Sequence, residues 1–284
     1  MAQQSPAILP VLGGTAVAMA AFAANSLFCR LALGRAEMDA ASFTAIRLGA
    51  GALVLGMVCA LHGSGGKALL RPDWPMVLAL FGYAAAFSLA YRDLTAGTGA
   101  LLLFGAVQVT MIGTGLVRGE RPTITEWGGL LVALAGLGWL VAPGLAAPPP
   151  RAAILMIAAG TAWGVYSLRG RRAGAPLAVT ATNFLWSVPL GLAWLAMAER
   201  HVSVSGVISA VLSGAVASGA GYAVWYTVLP RLTATRAATV QLTVPILAAL
   251  GGVAFLGEKL SLRLLGASAL VLGGVGLAIA ARRR

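Results

Sequence analysis

The second half of this chain repeats the first at an offset of 138 residues, and the repeating unit holds five apolar segments, an odd number. Leu94-Thr95-Ala96 returns as Leu232-Thr233-Ala234, Ala100 as Ala238, Gly113 as Gly251, and Gly119-Glu120 as Gly257-Glu258. Gly128 returns as Gly266, Leu134 as Leu272, Gly136 as Gly274 and Gly138 as Gly276, all without a gap. A unit that crosses a bilayer five times delivers its successor to the opposite side. Matching helices of the two halves then run upside down, the inverted-topology arrangement of many secondary transporters.

Hydrophobic residues fill 59% of the 284 positions and charged ones 10%, a balance foreign to a water-soluble core and expected of an integral membrane protein. The net charge of +12 does not mark a nucleic-acid binder, because the basic residues stand singly or in short groups between apolar stretches. Cys29 and Cys59 are the two cysteines, too few for a disulfide framework or a metal-ligand cluster, and are expected as packing residues. Ala21-Phe22-Ala23 has the small-x-small form of a leader cleavage site. Residues 1–20 lack Lys and Arg, however, and Ala20-Ala21 matches Ala158-Ala159 inside the repeat, so this segment is expected to be retained as the first helix.

Apolar runs cover residues 8–29, 40–61, 74–91, 97–117, 123–142, 152–168, 177–198, 206–229, 237–256 and 262–281. Most have the length, about 20 residues, that a helix needs to cross roughly 30 Å of hydrocarbon. Strand alternation is absent, and an open sheet would leave its backbone unsatisfied in lipid. The expected fold is an all-α integral membrane protein, with ten transmembrane helices in two five-helix inverted-topology repeats. The repeats are residues 1–142 and 152–284, joined by a proline-rich linker at 143–151 that contains Pro148-Pro149-Pro150. Counting Lys and Arg in alternate connections puts 12 on the side of the termini and 7 on the other, so both termini are expected in the cytoplasm.

The Gly-Glu pair after the fourth helix of each half (Gly119-Glu120, Gly257-Glu258) and Gln241-Leu242-Thr243-Val244-Pro245 in the ninth, together with the two five-helix halves, resemble the drug/metabolite transporter superfamily, most closely its EamA-type metabolite exporters. The resemblance covers the whole chain. It implies an inner-membrane carrier of small metabolites, often amino acids, drugs or other organic solutes, and says little about which. No cofactor is expected. The partners are a small-molecule substrate and the bilayer, and one chain holding both halves suffices as a monomer.

Polar groups within the hydrocarbon layer are costly and therefore informative. Arg47, two turns into the second helix, offers a bidentate fork to a substrate carboxylate or phosphate; the alternative is a residue that ties helices together or snorkels outward. Asn25 and Ser26 lie in the first helix, and the repeat position of Asn25 in the sixth is Trp163, followed by Tyr166 and Ser167. Asn183 and Trp186 share a face of the seventh helix at i, i+3. Tyr83, Phe87 and Tyr91 line one face of the third helix, and Tyr222, Trp225 and Tyr226 one face of the eighth. Phe87 is the repeat partner of Trp225. Paired aromatic faces suit a cavity for flat or apolar groups and cations, whereas Tyr91, Trp225 and Tyr226 equally fit an interfacial belt. The candidate substrate contacts are thus Asn25, Arg47, Tyr83, Phe87, Trp163, Tyr166, Asn183, Trp186 and Tyr222.

Gly51 corresponds to Pro189, and with Pro245 these are candidate hinges, since proline removes a backbone hydrogen bond in mid-span. Glycine pairs at i, i+4 (Gly115 and Gly119, Gly160 and Gly164) and Gly214 with Ser218 are expected to let helices approach closely. The eight carboxylates fall in connections or first helical turns, which favours facilitated transport over a proton-coupled exchange. Glu120 and Glu258 are expected to fix helix junctions. A membrane-embedded enzyme would need a metal cluster or a nucleophile with its base, and the sequence has neither. A channel, and a multidrug exporter of hydrophobic cations, remain as alternatives.

Overall fold

The computed structural model describes residues 8–62, 71–117, 119, 123–144, 146–170, 175–232, 237 and 240–281. Within them the chain forms α1 (Ile8–Gly34), α2 (Ala40–Leu61), α3 (Trp74–Ala90), α4 (Ala96–Val117), α5 (Ile124–Val141), α6 (Pro150–Gly170), α7 (Pro176–Met197), α8 (Val204–Arg231), α9 (Thr243–Leu256) and α10 (Leu262–Ala281). Eight of these are long and apolar enough to cross a membrane, and α3 and α9 are shorter apolar helices. The protein is therefore a multi-pass membrane protein. Of the tryptophans near helix ends, Trp74, Trp127 and Trp139 are exposed and Trp194 is half-buried against Phe81, and large apolar side chains such as Leu53 and Phe255 face outward, as a lipid-facing surface requires.

Local chemistry sets the helix ends. Asp39, Asp73 and Ser203 cap α2, α3 and α8 by accepting backbone N–H bonds. Thr123 and Glu126 form a reciprocal capping box on α5. Pro75 and Pro176 stand in first turns, where the missing N–H costs nothing. Pro189 lies inside α7. Pro245, expected in mid-span, is instead in the first turn of α9, and the helical path breaks just before it, at Leu242. The proline ring cannot continue the preceding turn, so the break falls there.

Close approaches at small residues reveal the helix directions. Gly51 faces Phe184 while Gly191 faces Ala45, so α2 and α7 are antiparallel; Gly214 faces the Arg47 carbonyl and Gly219 faces Val54, so α2 and α8 are parallel. α1 is antiparallel to α8 (Gly14 against Val228, Gly221 against Ala21) and α3 to α6 (Tyr83 against Trp163, Met76 against Gly170). α4 is parallel to α6, with Gly160 on Leu103 and Gly164 on Thr110. α5 packs chiefly on α10, where a Cβ on Gly274 would lie 2.5 Å from the Gly129 carbonyl oxygen. The contacts of Gly160, Gly164 and Gly214 are those expected of small residues between helices. Gly119 differs: it lies beyond α4 with φ of +86° and nothing near its side, so it serves a turn.

α8 holds a feature absent from the expectations. Leu212–Ala220 is wound as a π-helix, a wider turn bonded i to i+5, between two α-helical parts. Its composition explains why it tolerates this: Ser213, Gly214, Ala215, Ala217, Ser218 and Gly219 offer little side-chain bulk to resist the widening.

Between α1 and α2, and between α7 and α8, two connections clasp each other. Met38 and Val202 form an isolated antiparallel bridge, and Glu37 accepts hydrogen bonds from Ser203 and Ser205, each at 2.8 Å. Those two hydroxyls hold the Glu37 carboxyl below its ordinary range. Burial raises Asp39, but hydrogen bonds from Ser42 and from the His201 N–H outweigh it and leave it lowered. Both groups therefore stabilise the clasp above their unfolded pKa values of about 4 and lose that contribution as pH falls through the lower folded values. The thermal midpoint of detergent-solubilised protein should accordingly drop on acidification below about pH 4, with a shallower acid limb in Glu37→Gln/Asp39→Asn.

Candidate functional site

A cavity of about 420 Å³ lies among α1, α3, α4, α6 and α8, with Gln241 closing one side. That is the size of a small-molecule site. Its wall is aromatic because α3, α6 and α8 turn their ring-bearing faces to one another. Trp163 stands at the centre. It stacks on Tyr166 (5.2 Å, 15°) and on Tyr222 (5.5 Å, 19°) and is tilted against Tyr83 (5.0 Å). Phe22 of α1 meets Tyr222 and, edge-on, Trp225. At one end the lining reaches Gly170 and Pro176, flanking the α6–α7 connection, Leu229 in the last turn of α8, and Leu232 just beyond it. Toward the other it ends at Asn25, Ser26 and Phe87. Tyr91 packs edge-on behind Phe87 and is fully buried.

Beyond Tyr91, four elements are tied together. Arg30 pairs with Glu258 at 3.1 Å and also donates to the carbonyls of Tyr91 and Arg92. The second oxygen of Glu258 accepts the Ala96 N–H at the start of α4, a junction role like that expected for it. Glu120 lies outside the described residues.

Arg47 is the largest fully buried side chain. Its guanidinium donates to the Tyr83 hydroxyl at 3.0 Å and lies 5.2 Å and 5.1 Å from the Tyr83 and Phe87 ring centres. Such ring contacts contribute on the order of 0.5–2 kcal/mol each. Nε and Nη1 have no partner, and among the described residues no carboxylate forms an ion pair with it. The Tyr83 hydroxyl also accepts from Asn25 Nδ2 at 3.3 Å, and Asn25 Oδ1 accepts from Ser213 of the π-helical turn at 2.6 Å. A second network lies beside Tyr166, whose hydroxyl accepts from Asn183 (3.3 Å) and donates to Thr180, which donates in turn to Tyr226.

Of the residues singled out in the sequence, Asn25, Tyr83, Phe87, Trp163, Tyr166 and Tyr222 line the cavity. Arg47 and Asn183 stand one layer behind it, bonded to Tyr83 and Tyr166. Trp186 packs edge-on against Trp74, away from the cavity. Gly51 lies between α2 and α7, where an added Cβ would meet the Phe184 ring at 2.6 Å. Tyr91, Trp225 and Tyr226, for which an interfacial belt was the competing reading, face the interior: Tyr91 is sealed in the core and the other two line the cavity. Phe22, Phe104 and Met111 also line it and carry no sequence signal, being apolar residues in apolar helices. Ser218, read only as a packing partner of Gly214, lines the cavity with its hydroxyl buried and unpaired.

A model of the EamA-like transporter family matches residues 11–142 and again residues 150–280. The chain is 52% identical to the uncharacterized protein PA1977 of Pseudomonas aeruginosa over 272 residues, 94% of each chain. It is 30% identical to the threonine/homoserine exporter RhtA of Escherichia coli K12, and 31% to that of Salmonella typhimurium LT2, over 179 residues. Those alignments span 59% of this chain and of each exporter. A solved crystal structure superposes with a TM-score of 0.66 at 23% identity, over 95% of this chain and 99% of that one, a likeness of fold.

Removal of the Tyr166 hydroxyl leaves the buried Asn183 amide without its oxygen acceptor, a cost of about 1–3 kcal/mol. Tyr166→Phe should therefore lower the thermal unfolding midpoint of the purified protein, whereas Thr161→Ala, at an exposed site bonded only to its own helix, should leave it unchanged.

Proposed function

The chain belongs to the EamA-like transporter family of the drug/metabolite transporter superfamily, whose members are transporters and not enzymes, and we propose that it exports small metabolites such as amino acids by alternating access, aromatic and large neutral ones above all. The observation that carries the substrate class is the wall of stacked rings around Trp163, which offers a flat, apolar surface to a side chain, with Asn25, Tyr83, Ser218 and Gln241 as the polar groups that orient its ends. The similarity to threonine/homoserine exporters supports amino acids as the class, and the aromatic wall favours larger ones.

Ten crossings in two inverted halves, residues 1–142 and 152–284 around the 143–151 linker, complete the reading. Two separate family matches, to residues 11–142 and 150–280, support a division of the chain into halves. Helix pairing supports it further: α1 against α8 is the counterpart of α6 against α3, and α1 on α9 that of α6 on α4. The pairs α2–α7 and α5–α10 each join a helix to its own repeat partner, and every direction read from the glycine contacts agrees with alternate crossings. Tilting of one half against the other would use Pro189 in α7, the break before Pro245 and the bulk-free contact at Gly51. With both termini in the cytoplasm of an inner-membrane protein, the cavity end at Gly170 and Leu232 faces the cytoplasm, as an exporter loading substrate requires. The Arg30–Glu258 tie then closes the outer side.

Transport is facilitated in this reading. None of the described carboxylates is buried, so none stands ready to carry a proton across the layer. One chain holds the whole cavity and acts as a monomer. Proteoliposomes containing the purified protein should take up labelled L-phenylalanine saturably, with or without a proton gradient, and Trp163→Ala should reduce kcat/KM at least tenfold. Expulsion of a lipophilic cation only under a proton gradient, without amino-acid uptake, would replace this reading with that of a multidrug exporter.

A further inference from the structure

The Tyr83 hydroxyl sits at the boundary between Arg47 and the cavity, and its bonding is one-sided. It accepts two hydrogen bonds, from Arg47 Nη2 and Asn25 Nδ2, and among the described residues no acceptor takes its own proton. A phenol has one proton to give and lone pairs to receive. With the lone pairs engaged by an amide and a guanidinium, the proton is left for whatever occupies the cavity that Tyr83 lines. The cation behind it polarises the O–H bond and strengthens its donation to a negative acceptor.

Two further observations point to the same kind of occupant. The Arg47 charge is buried with no carboxylate paired to it among the described residues, so this end of the cavity is electropositive without compensation. Ser218, one helical turn before Tyr222 on the π-helical segment, has a buried hydroxyl with no partner and lines the same cavity. Buried polar groups are normally satisfied, and an unsatisfied one at a cavity wall calls for a ligand atom. Among the described residues the lining holds no carboxylic side chain to attract an ammonium group by charge.

Building on the proposed amino-acid export, we infer that the carboxylate of the substrate is read by the Tyr83 hydroxyl, with Arg47 as a positioning residue that supplies charge through that hydroxyl without touching the substrate. The substrate's side chain then lies toward Trp163. Selectivity follows from charge: compounds ending in a carboxylate are held, and the corresponding amides and amines are rejected, whatever their rings.

The test measures binding to purified protein in detergent by quenching of tryptophan fluorescence, with four probes that share a phenyl ring: L-phenylalanine, 3-phenylpropionate, L-phenylalaninamide and 2-phenylethylamine. Wild type should bind the two carboxylates at least tenfold more tightly than the amide and the amine. Tyr83→Phe, which keeps the ring and Arg47, should erase that ratio by weakening the carboxylates alone. Arg47→Gln should do the same, and Arg47→Lys should restore part of it, an outcome that a merely structural role for Arg47 would not give. Equal binding of carboxylates and amine by wild type, absence of binding by all four, or an unchanged ratio in Tyr83→Phe would each overturn the inference. Tyr83-dependent binding of 3-phenylpropionate without transport of L-phenylalanine would instead uphold it and fault the proposed substrate.

Discussion

A guanidinium held inside an apolar layer, with no carboxylate among the described residues to balance it, is the constraint around which the centre of this protein is arranged. A charge at mid-helix costs on the order of 2.5–3.5 kcal/mol on insertion scales, and more where water is excluded. Arg47 is kept there by the faces of two rings and one phenol oxygen, with two of its nitrogens unpartnered. Those rings belong to α3, so the aromatic face of that helix must turn inward. Tyr83 then meets Trp163 of α6, and Trp163 draws in Tyr166 and Tyr222 by stacking. Asn25 bridges Tyr83 to Ser213, which ties α1 and α3 to the π-helical part of α8.

Small residues make that convergence possible. Gly214 lets the backbone of α8 reach the carbonyl of Arg47 itself, and Gly160 and Gly164 bring α6 against α4. In a membrane, where lipid competes with every apolar contact, close backbone approach and polar links supply the association energy. The polar links are inside, and the outer surface carries leucine, valine and phenylalanine. The two ends differ. On one, Arg30, Glu258 and the start of α4 are joined in a half-buried cluster, while on the other the Arg169–Asp73 pair is exposed at 3.4 Å and the cavity lining reaches the helix ends.

Much of this was legible in the chain because hydropathy fixes where helices run. Eight segments long enough to cross, and two shorter ones, follow the apolar runs closely, although α1 extends to Gly34 and carries Arg30 within its last turns, where Glu258 meets the charge. Trp163, Tyr83 and Tyr222 lie well inside their apolar segments, where an amphipathic ring needs a polar partner or a cavity. Depth alone could not assign Tyr91, Trp225 and Tyr226, because residues near a segment end serve a belt or a core according to what packs beside them. The i, i+3 face of Asn183 and Trp186 was real in sequence, yet the helix places Asn183 behind Tyr166 and turns Trp186 to Trp74. The π-helical turn has no hydropathy signature, and the roles of Ser213 and Ser218 depend on it.

The central claim, that the ring-walled cavity is where substrate sits, is tested most directly by a cysteine at its wall. Ser167→Cys places a thiol there, against a background in which Cys29 and Cys59 are fully buried. The quantity to measure is the rate at which a small, hydrophilic thiol reagent labels that position in proteoliposomes, with and without L-phenylalanine at a concentration that saturates uptake. Occupancy of the cavity predicts labelling that slows at least fivefold when substrate is present. Labelling at an unchanged rate, while uptake is saturated, would contradict the account.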